Sequence, residues 1–366
     1  MTQSTSTRTG TRWEMTGVGE PLVAVEFPLP EPARGEALVR VVGCGVCHTD
    51  IGFLFDGVRT AAALPLALGH EISGEVVAAG AGFEHLVGKA VIVPAVTPCG
   101  TCESCRAGHG SICSRQCMPG NHVPGGFATH VFVPARGLCV VDEPGALAGA
   151  ELAGSGCTLA DLAVVADAVS TPYQALRRAR VGQGDFVIVV GLGGVGGFAA
   201  QIARALGATV VGFDVAPGRL AALTEHGLAQ GFDPSGADPR ALRDAVRAYA
   251  KESGAPSTYW KIFECSGAAA GQELAWSMLG PGAYLSIVGY TRDKVSLRLS
   301  NLMAFDAKAV GNWGCLPELY PEALALVLEG RIALAPFVER HPLDDVWNVL
   351  NQVREHRLER RPVLAP

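Results

Sequence analysis

Apolar positions change their rhythm near Asp185. Downstream, Phe186–Val190 is an unbroken apolar run, too short for a helix and suited to a strand buried on both faces. Phe198, Ile202 and Leu206 then recur about one helical turn apart. Thr209–Phe213 reads as a second strand. The alternation goes on with a short helix over 219–226 and a longer one over 238–253, with Asp238 as N-cap and Pro239 in its first turn. A strand over Lys261–Glu264, a helix over 268–279 and a strand over 283–289 complete a β-α-β pattern. It stops near Gly311. A helix over 321–329 follows, and the last stretch is expected to rejoin the first domain.

Upstream the pattern is short strands and turns. Residues 22–27, 36–42, 71–78, Ala90–Val93 and 129–133 read as strands, punctuated by Pro28, Pro30, Pro32, Gly35 and Gly88. Residues 160–179 read as helical, with Pro172 interrupting. The predicted fold class is α/β: a doubly wound Rossmann-type parallel sheet inserted in a mostly antiparallel, irregular barrel-like domain. No internal repeat or low-complexity tract alters this.

A length of 366 residues fits about two domains. Hydrophobic residues at 49% and charged residues at 17% exclude a disordered chain. A net charge of -6 argues against a nucleic-acid partner, though a local basic pocket for an anionic substrate stays open. The N-terminal MTQSTSTRTGTR has no apolar core, so it reads as a frayed polar tail, with a transit peptide as the alternative. No run reaches the roughly 18 apolar residues of a membrane span. Eleven cysteines without a secretory signal point to thiols and metal sites in a reducing cytoplasm.

Three glycines lie where the first strand turns into its helix. Gly191, Gly193 and Gly196 have the G-x-G-x-x-G spacing, with Gly194 and Val195 inside it. Gly191 permits the tight turn. Gly193 lets a pyrophosphate approach backbone N–H groups, and Gly196 lets helix and strand pack closely. Asp214 lies 18 residues after Gly196, where a carboxylate can accept from a ribose diol and repel a 2′-phosphate. This predicts NAD rather than NADP.

Cys99, Cys102, Cys105 and Cys113 follow a C-x2-C-x2-C-x7-C spacing. Four thiolates so close can surround one Zn2+ as a closed structural tetrahedron, in a lobe over about 95–117. Cys117 is an alternative to Cys113, and free thiols are the bland reading. A second cluster of donors lies in GCGVCHTD, with Cys47 and Thr49, and in LALGHEISGEV, with His70 and Glu71. Taken singly, Cys47 and His70 are equally a buried cysteine and a core histidine. Cys44 and Cys47 form a C-x-x-C that could suggest redox chemistry, but no thioredoxin-like β-α-β surrounds it.

GCGVCHTD, GHEISGEVVAAG, the four-cysteine lobe and GLGGVGG occur in the order found in the zinc-dependent medium-chain alcohol dehydrogenases, which the chain resembles over nearly its whole length. The resemblance implies a GroES-like catalytic domain made of residues 1–168 and 312–366, and an NAD-binding domain over 169–311. It implies two Zn2+ per chain, one catalytic and one structural. Cys47 and His70 match zinc ligands, and Glu71 an alternative or supporting ligand. Asp167 falls where many members have cysteine; as a ligand it is a harder oxygen, and its other reading is a cap for the following helix. Thr49 matches the hydroxyl that takes the substrate proton. His48 and Arg361 match contacts to the cofactor pyrophosphate, and Thr171 a neighbour of the nicotinamide. Arg219 is either an adenosine-side contact or a solvated charge. Gly52 stands where a relay histidine is common, which leaves the proton route open. The apolar run after Gly311 resembles the edge through which members form homodimers or homotetramers.

Four further stretches, MPGNHVPGGFATH, WKIFECSG, RLSNLMAFDAKAVGNWGCLPELYP and ERHPLD, resemble the subfamily that oxidises 6-hydroxycyclohex-1-ene-1-carbonyl-CoA in anaerobic benzoyl-CoA breakdown. That implies a CoA-thioester substrate, and Arg292, Lys294 and Arg298 as candidates for its phosphates. The competing readings are another zinc-dependent secondary alcohol or polyol dehydrogenase, a zinc-free enone reductase, and a non-catalytic NAD-binding protein.

Overall fold

The computed structural model describes residues 8–366. By contacts the chain divides into two compact units. One holds residues up to 167 together with 314–328 and 334–366; the other holds 168–313 and 329–333.

The first unit begins with β1 (Thr9–Met15), β2 (Val23–Pro28), β3 (Glu36–Gly45), β4 (Leu66–Ala67), β5 (Glu71–Ala79), β6 (Ala90–Val93), β7 (His130–Pro134) and β8 (Cys139–Val140). The expected N-terminal tail is only partly described. Residues 1–7 lie outside the described residues, whereas Thr9–Met15 is a strand paired antiparallel with β2. Its sequence, TGTRWEM, carries few apolar residues, so its strand character comes from its partners rather than from its own period.

The second unit contains β9 (Phe186–Val190), β10 (Thr209–Phe213), β11 (Gln230–Phe232), β12 (Lys261–Glu264), β13 (Tyr284–Ile287) and β14 (Lys308–Gly311). They form a parallel sheet of order β11-β10-β9-β12-β13-β14. The order reverses between β9 and β12, so a crevice opens at the carboxyl ends of those strands. Every residue of β9 is buried, as its unbroken apolar run requires. Phe186, Ile188, Val190, Val211, Phe213, Val246, Trp260 and Ile262 belong to the core of this unit. Short β11 and largely exposed β14 carry no such run and escape the period.

The chain returns to the first unit with β15 (Val338–Pro342) and β16 (Arg361–Ala365). Its larger sheet has the order β15-β16-β3-β5-β6-β8, with β7 also on β3, and only β15 and β16 pair parallel. A smaller sheet runs β2-β1-β4. Val39, Val41, Leu68, Ile72, Val91 and Phe127 pack with Val349, Leu350 and Leu364 in one core.

The helical stretch 160–179 breaks earlier than Pro172. A 3-10 helix, Asp161–Ala166, ends at Asp167, whose backbone (φ -138, ψ -59) is not helical, and a new helix runs Ser170–Arg178. Pro172 falls in the first turn of that helix, where its missing N–H has no intrahelical partner to lose. Within the first unit, the fully buried Tyr320 ties the segment before Asp167 in place. Its hydroxyl donates to the Ala166 carbonyl at 2.5 Å and accepts from the Ala95 N–H at 3.0 Å. Tyr320→Phe takes that partner from two backbone groups. It should lower the unfolding free energy by about 2 kcal/mol, read from urea denaturation at fixed zinc concentration.

Candidate functional site

Four donors converge in the first unit. One ligand atom each from Cys47, His70, Glu71 and Asp167 lie within 4.8 Å of one another. Cys47 caps the helix His48–Leu54, and His70 and Glu71 stand at the start of β5. Asp167 Oδ2 lies 3.5 Å from His70 Nε2 and 3.7 Å from Cys47 Sγ. The following helix has Val169 at its N-cap position, and that residue makes no side-chain cap bond. Thr49 places Oγ1 3.7 Å from Cys47 Sγ, beside the cluster. Cys44, the other half of the C-x-x-C, is a fully buried free thiol whose sulfur bonds to the Gly45 carbonyl.

Asp50, the last residue of the GCGVCHTD stretch, supports the cluster from behind. It is fully buried. Oδ2 accepts from the Cys47 N–H at 2.9 Å and Oδ1 from the Gly69 N–H at 3.1 Å. Oδ1 also faces His70 Nδ1 at 3.5 Å, a charge contact rather than a hydrogen bond, and that buried nitrogen has no hydrogen-bond partner among the described residues. The signal in the sequence was the Cys-x-x-Asp spacing of a capping box.

Arg361, which the resemblance directs to the pyrophosphate, has a partner in its own unit. Nε and Nη2 clasp Glu71 Oε2 and Oε1 at 2.8 and 2.5 Å, with both side chains buried. Burial pushes the Glu71 carboxyl up, and the guanidinium pulls it down. His70 is held above the ordinary imidazole range: burial opposes its charge, but Asp50 and Asp167 outweigh burial. Three carboxyl groups and a thiol thus surround one imidazole and one guanidinium. That surplus of negative donors, nitrogen, sulfur and oxygen together, fits Zn2+.

The second cluster is the cysteine lobe, where Cys99, Cys102, Cys105 and Cys113 also lie within 4.8 Å. Cys102 Sγ is 3.4 Å from Cys105 Sγ and 3.6 Å from Cys113 Sγ. Backbone N–H groups turn inward to the sulfurs, Cys102 to Cys99 at 3.3 Å and Arg115 to Cys113 at 3.3 Å. The Thr101 N–H holds the Cys99 thiol down at about 5. Cys117 stays outside the cluster, its backbone paired with Thr97. Four inward sulfurs with N–H support fit a closed zinc site.

In the second unit the glycines behave as their spacing suggests. Gly191 has φ +84, and a Cβ there would meet Ser266 Cα at 2.4 Å. A Cβ on Gly193 would meet only Arg219 Nη1, at 3.8 Å, so its face is open to a ligand. A Cβ on Gly196 would strike the Gly191 carbonyl at 1.7 Å. Gly194 and Val195 open the helix Gly194–Ala205, offering N–H groups to an anion. Asp214 follows β10, buried, and accepts from the Leu192 N–H at 2.7 Å and the Ala216 N–H at 2.9 Å. Arg219 Nη1 stands 3.6 Å from it. Thr171 is buried in the first turn of Ser170–Arg178, and its carbonyl accepts from Asn312 Nδ2 at 3.2 Å. His48, in the first unit, stacks on His356 with centroids 5.7 Å apart. A groove of about 460 Å³ beside Arg247, Lys251 and Trp260 sits at the amino end of β12, the wrong end of the sheet for a dinucleotide. Among the described residues no helix is long and apolar enough to cross a membrane.

Residues 33–143 match the family described as alcohol dehydrogenase GroES-like domain, and residues 194–329 the family described as zinc-binding dehydrogenase. The chain is similar to an alcohol dehydrogenase of Geobacillus stearothermophilus, 29% identical over 347 residues that span 94% of this chain and 96% of that one. It is similar to L-galactonate-5-dehydrogenase of Escherichia coli K12, 28% identical over 314 residues and 85% of each chain. The crystal structure of galactitol-1-phosphate dehydrogenase from Escherichia coli superposes with a TM-score of 0.84 at 24% identity, covering 97% of this chain and 100% of that one, a likeness of fold.

Two measurements test the clusters. Metal analysis of Cys102→Ser should show one zinc fewer per chain than the parent and a lower thermal midpoint. Cys47→Ser should lose the other zinc with little change in midpoint; full zinc content in either variant rejects that cluster. Arg361→Met leaves Glu71 buried without its cation. It should cost about 3 kcal/mol of stability, part of which the added Glu71→Gln recovers in a double-mutant cycle.

Proposed function

The chain belongs to the zinc-dependent medium-chain alcohol dehydrogenases, oxidoreductases acting on CH–OH groups, and from that premise we propose that it oxidises a ring secondary alcohol carried as a CoA thioester, with NAD+ as acceptor. The substrate is the allylic alcohol of 6-hydroxycyclohex-1-ene-1-carbonyl-CoA, and the product the 6-oxo enone thioester. The observation that carries the reaction is the convergence of Cys47, His70, Glu71 and Asp167 in a chain that also has the Gly191–Gly193–Gly196 turn. The resemblance of the four sequence stretches supports the choice of substrate.

In this reading Cys47, His70 and Asp167 hold the catalytic zinc, with Glu71 clasped by Arg361 as the supporting or alternative ligand. When bound, zinc lowers the pKa of an alcohol hydroxyl and NAD+ takes the hydride from its carbon. The chain's own groups do the rest. Asp50 faces the His70 ring. Thr49 stands beside Cys47 to accept the hydroxyl proton and pass it outward, so that the alcohol loses one hydride and one proton in balance. Gly193 admits the pyrophosphate to the first turn of Gly194–Ala205, with His48 and Arg361 as further contacts from the resemblance. Asp214 takes the adenosine ribose, Arg219 lies beside it, and Thr171 borders the nicotinamide. Arg292, Lys294 and Arg298 are the candidates for the CoA phosphates. Assembly as a homodimer or homotetramer through the apolar run after Gly311 belongs to the same reading.

The second reading is oxidation of a simple secondary alcohol or a polyol, which the likeness to L-galactonate-5-dehydrogenase favours. A substrate panel with NAD+ separates them. The CoA thioester should be turned over with a kcat/KM at least about a hundredfold above cyclohexenol and polyols, a difference of about 2.7 kcal/mol. A polyol turned over best replaces the first reading with the second. NADP+ should be a poor acceptor in the same assay.

A further inference from the structure

The carboxyl ends of β9, β12 and β13 are laced together around one buried carboxyl group that the reaction does not use. Glu264 is the last residue of β12 and is fully buried. Its Oε1 accepts from the Ser266 N–H at 2.7 Å, the Gly267 N–H at 3.2 Å and the Ser266 hydroxyl at 2.5 Å. Its backbone carbonyl accepts from the N–H groups of Val288 and Gly289, which follow β13. Oε2 is buried and has no hydrogen-bond partner among the described residues.

The turn that Glu264 holds packs closely against three glycines. A Cβ on Gly191 would meet Ser266 Cα at 2.4 Å, one on Gly271 would meet Ser266 Oγ at 1.9 Å, and one on Gly289 would meet the Gly267 nitrogen at 2.4 Å. Gly267 itself has φ +64 and lies against the Tyr290 carbonyl, where a Cβ would come to 2.7 Å. The 266–267 turn is therefore pressed on one side against Gly191, the first glycine of the dinucleotide turn, and on the other against the end of β13. This is the point where the strand order reverses and a dinucleotide crosses the sheet. An apolar residue would close β12 without the penalty of burying a carboxyl group.

We propose that Glu264 is a positioning residue for the dinucleotide: by holding the Ser266–Gly267 turn against Gly191 it sets the width of the crevice into which NAD enters. The inference rests on the dinucleotide reading given under Proposed function. Reach is what matters, since Oε1 bonds to a turn two and three residues ahead. Net charge matters little: burial pushes this carboxyl up, against the hydrogen bonds from Ser266 and Gly267, and among the described residues no cation is set against it.

Two variants separate reach from charge. Glu264→Gln keeps the length and the accepting oxygen but loses the charge. Glu264→Asp keeps the charge but draws the oxygen back by one methylene. Calorimetric titration of the zinc-loaded protein with NAD should give a Kd within about threefold of the parent for Gln and raised about tenfold for Asp, on the scale of one lost hydrogen bond. The KM for NAD should rise in step in the Asp variant, while the KM for the alcohol and the zinc content stay as they were. Circular dichroism melts verify folding. Should the Asp variant not fold, Ser266→Ala removes one of the three donors and should raise Kd about threefold by the same scale. An Asp variant that binds NAD like the parent, a Gln variant that loses as much as Asp, or Ser266→Ala without effect overturns the inference. Parent protein that binds no dinucleotide overturns the cofactor reading instead.

Discussion

Buried negative charge is the constraint on which the first unit depends. Asp50, Glu71 and Asp167 bring three carboxyl groups to Cys47 and His70, and Asp50 and Glu71 are wholly out of water. Charges so placed cost several kcal/mol each unless something neutralises them. Arg361 neutralises one of them, through a two-point clasp on Glu71. The remaining donors repel one another unless a divalent cation sits among them or they take up protons, which is why His70 is held high. The cluster is therefore poor as a stabilising network and good as a metal site. Its geometry is maintained by the strands that carry it: β5 places His70 and Glu71, β16 brings Arg361 antiparallel to β3, and Tyr320 fixes the backbone just before Asp167.

The second unit solves a different problem, the close approach of backbone to a large anion. There the relevant residues are those without side chains. Gly191, Gly196, Gly267 and Gly289 each stand where a Cβ would overlap a neighbour, whereas Gly193 stands where nothing but Arg219 is near. Four glycines thus serve packing, and one leaves room for a ligand. Asp214 also belongs to the Gly191–Gly193–Gly196 turn, since its carboxylate accepts the Leu192 N–H.

How much of this was legible in the sequence follows the range of each interaction. The strands Ala90–Val93 and Lys261–Glu264 lie where their apolar runs place them, because a buried strand writes its period locally. The α/β class and the Rossmann-type parallel sheet were legible for the same reason, whereas the GroES-like architecture came from the family resemblance. The cysteine lobe was readable because its donors sit within one short loop. β1 was not, since TGTRWEM becomes a strand only through β2 and β4. Pro172 was misjudged because a proline signals a break equally well from the first turn of a helix as from the end of one. The clasp of Arg361 on Glu71 joins residues 290 positions apart, and no local pattern announces such a pair. Asp50 received no role from the sequence, since its place facing His70 required β5 to arrive.

The identity of the third donor gives the cluster a further property. With a thiolate at that place the donor set would be softer and would give more electron density to the metal. Asp167 instead offers a hard oxygen of the same charge. Were Asp167 the ligand, the charge balanced by a zinc ion would be unchanged but less of it shared covalently, which would leave the ion a stronger Lewis acid. Asp167 is also partly exposed, while Glu71 and His70 are not. A carboxylate near solvent can change its protonation or its denticity more readily than a buried thiolate. Glu71, already within the same 4.8 Å and held back by Arg361, is the group able to take its place. The guanidinium thus bears on both questions at once, the charge of Glu71 and how free its oxygens are to turn toward the other donors.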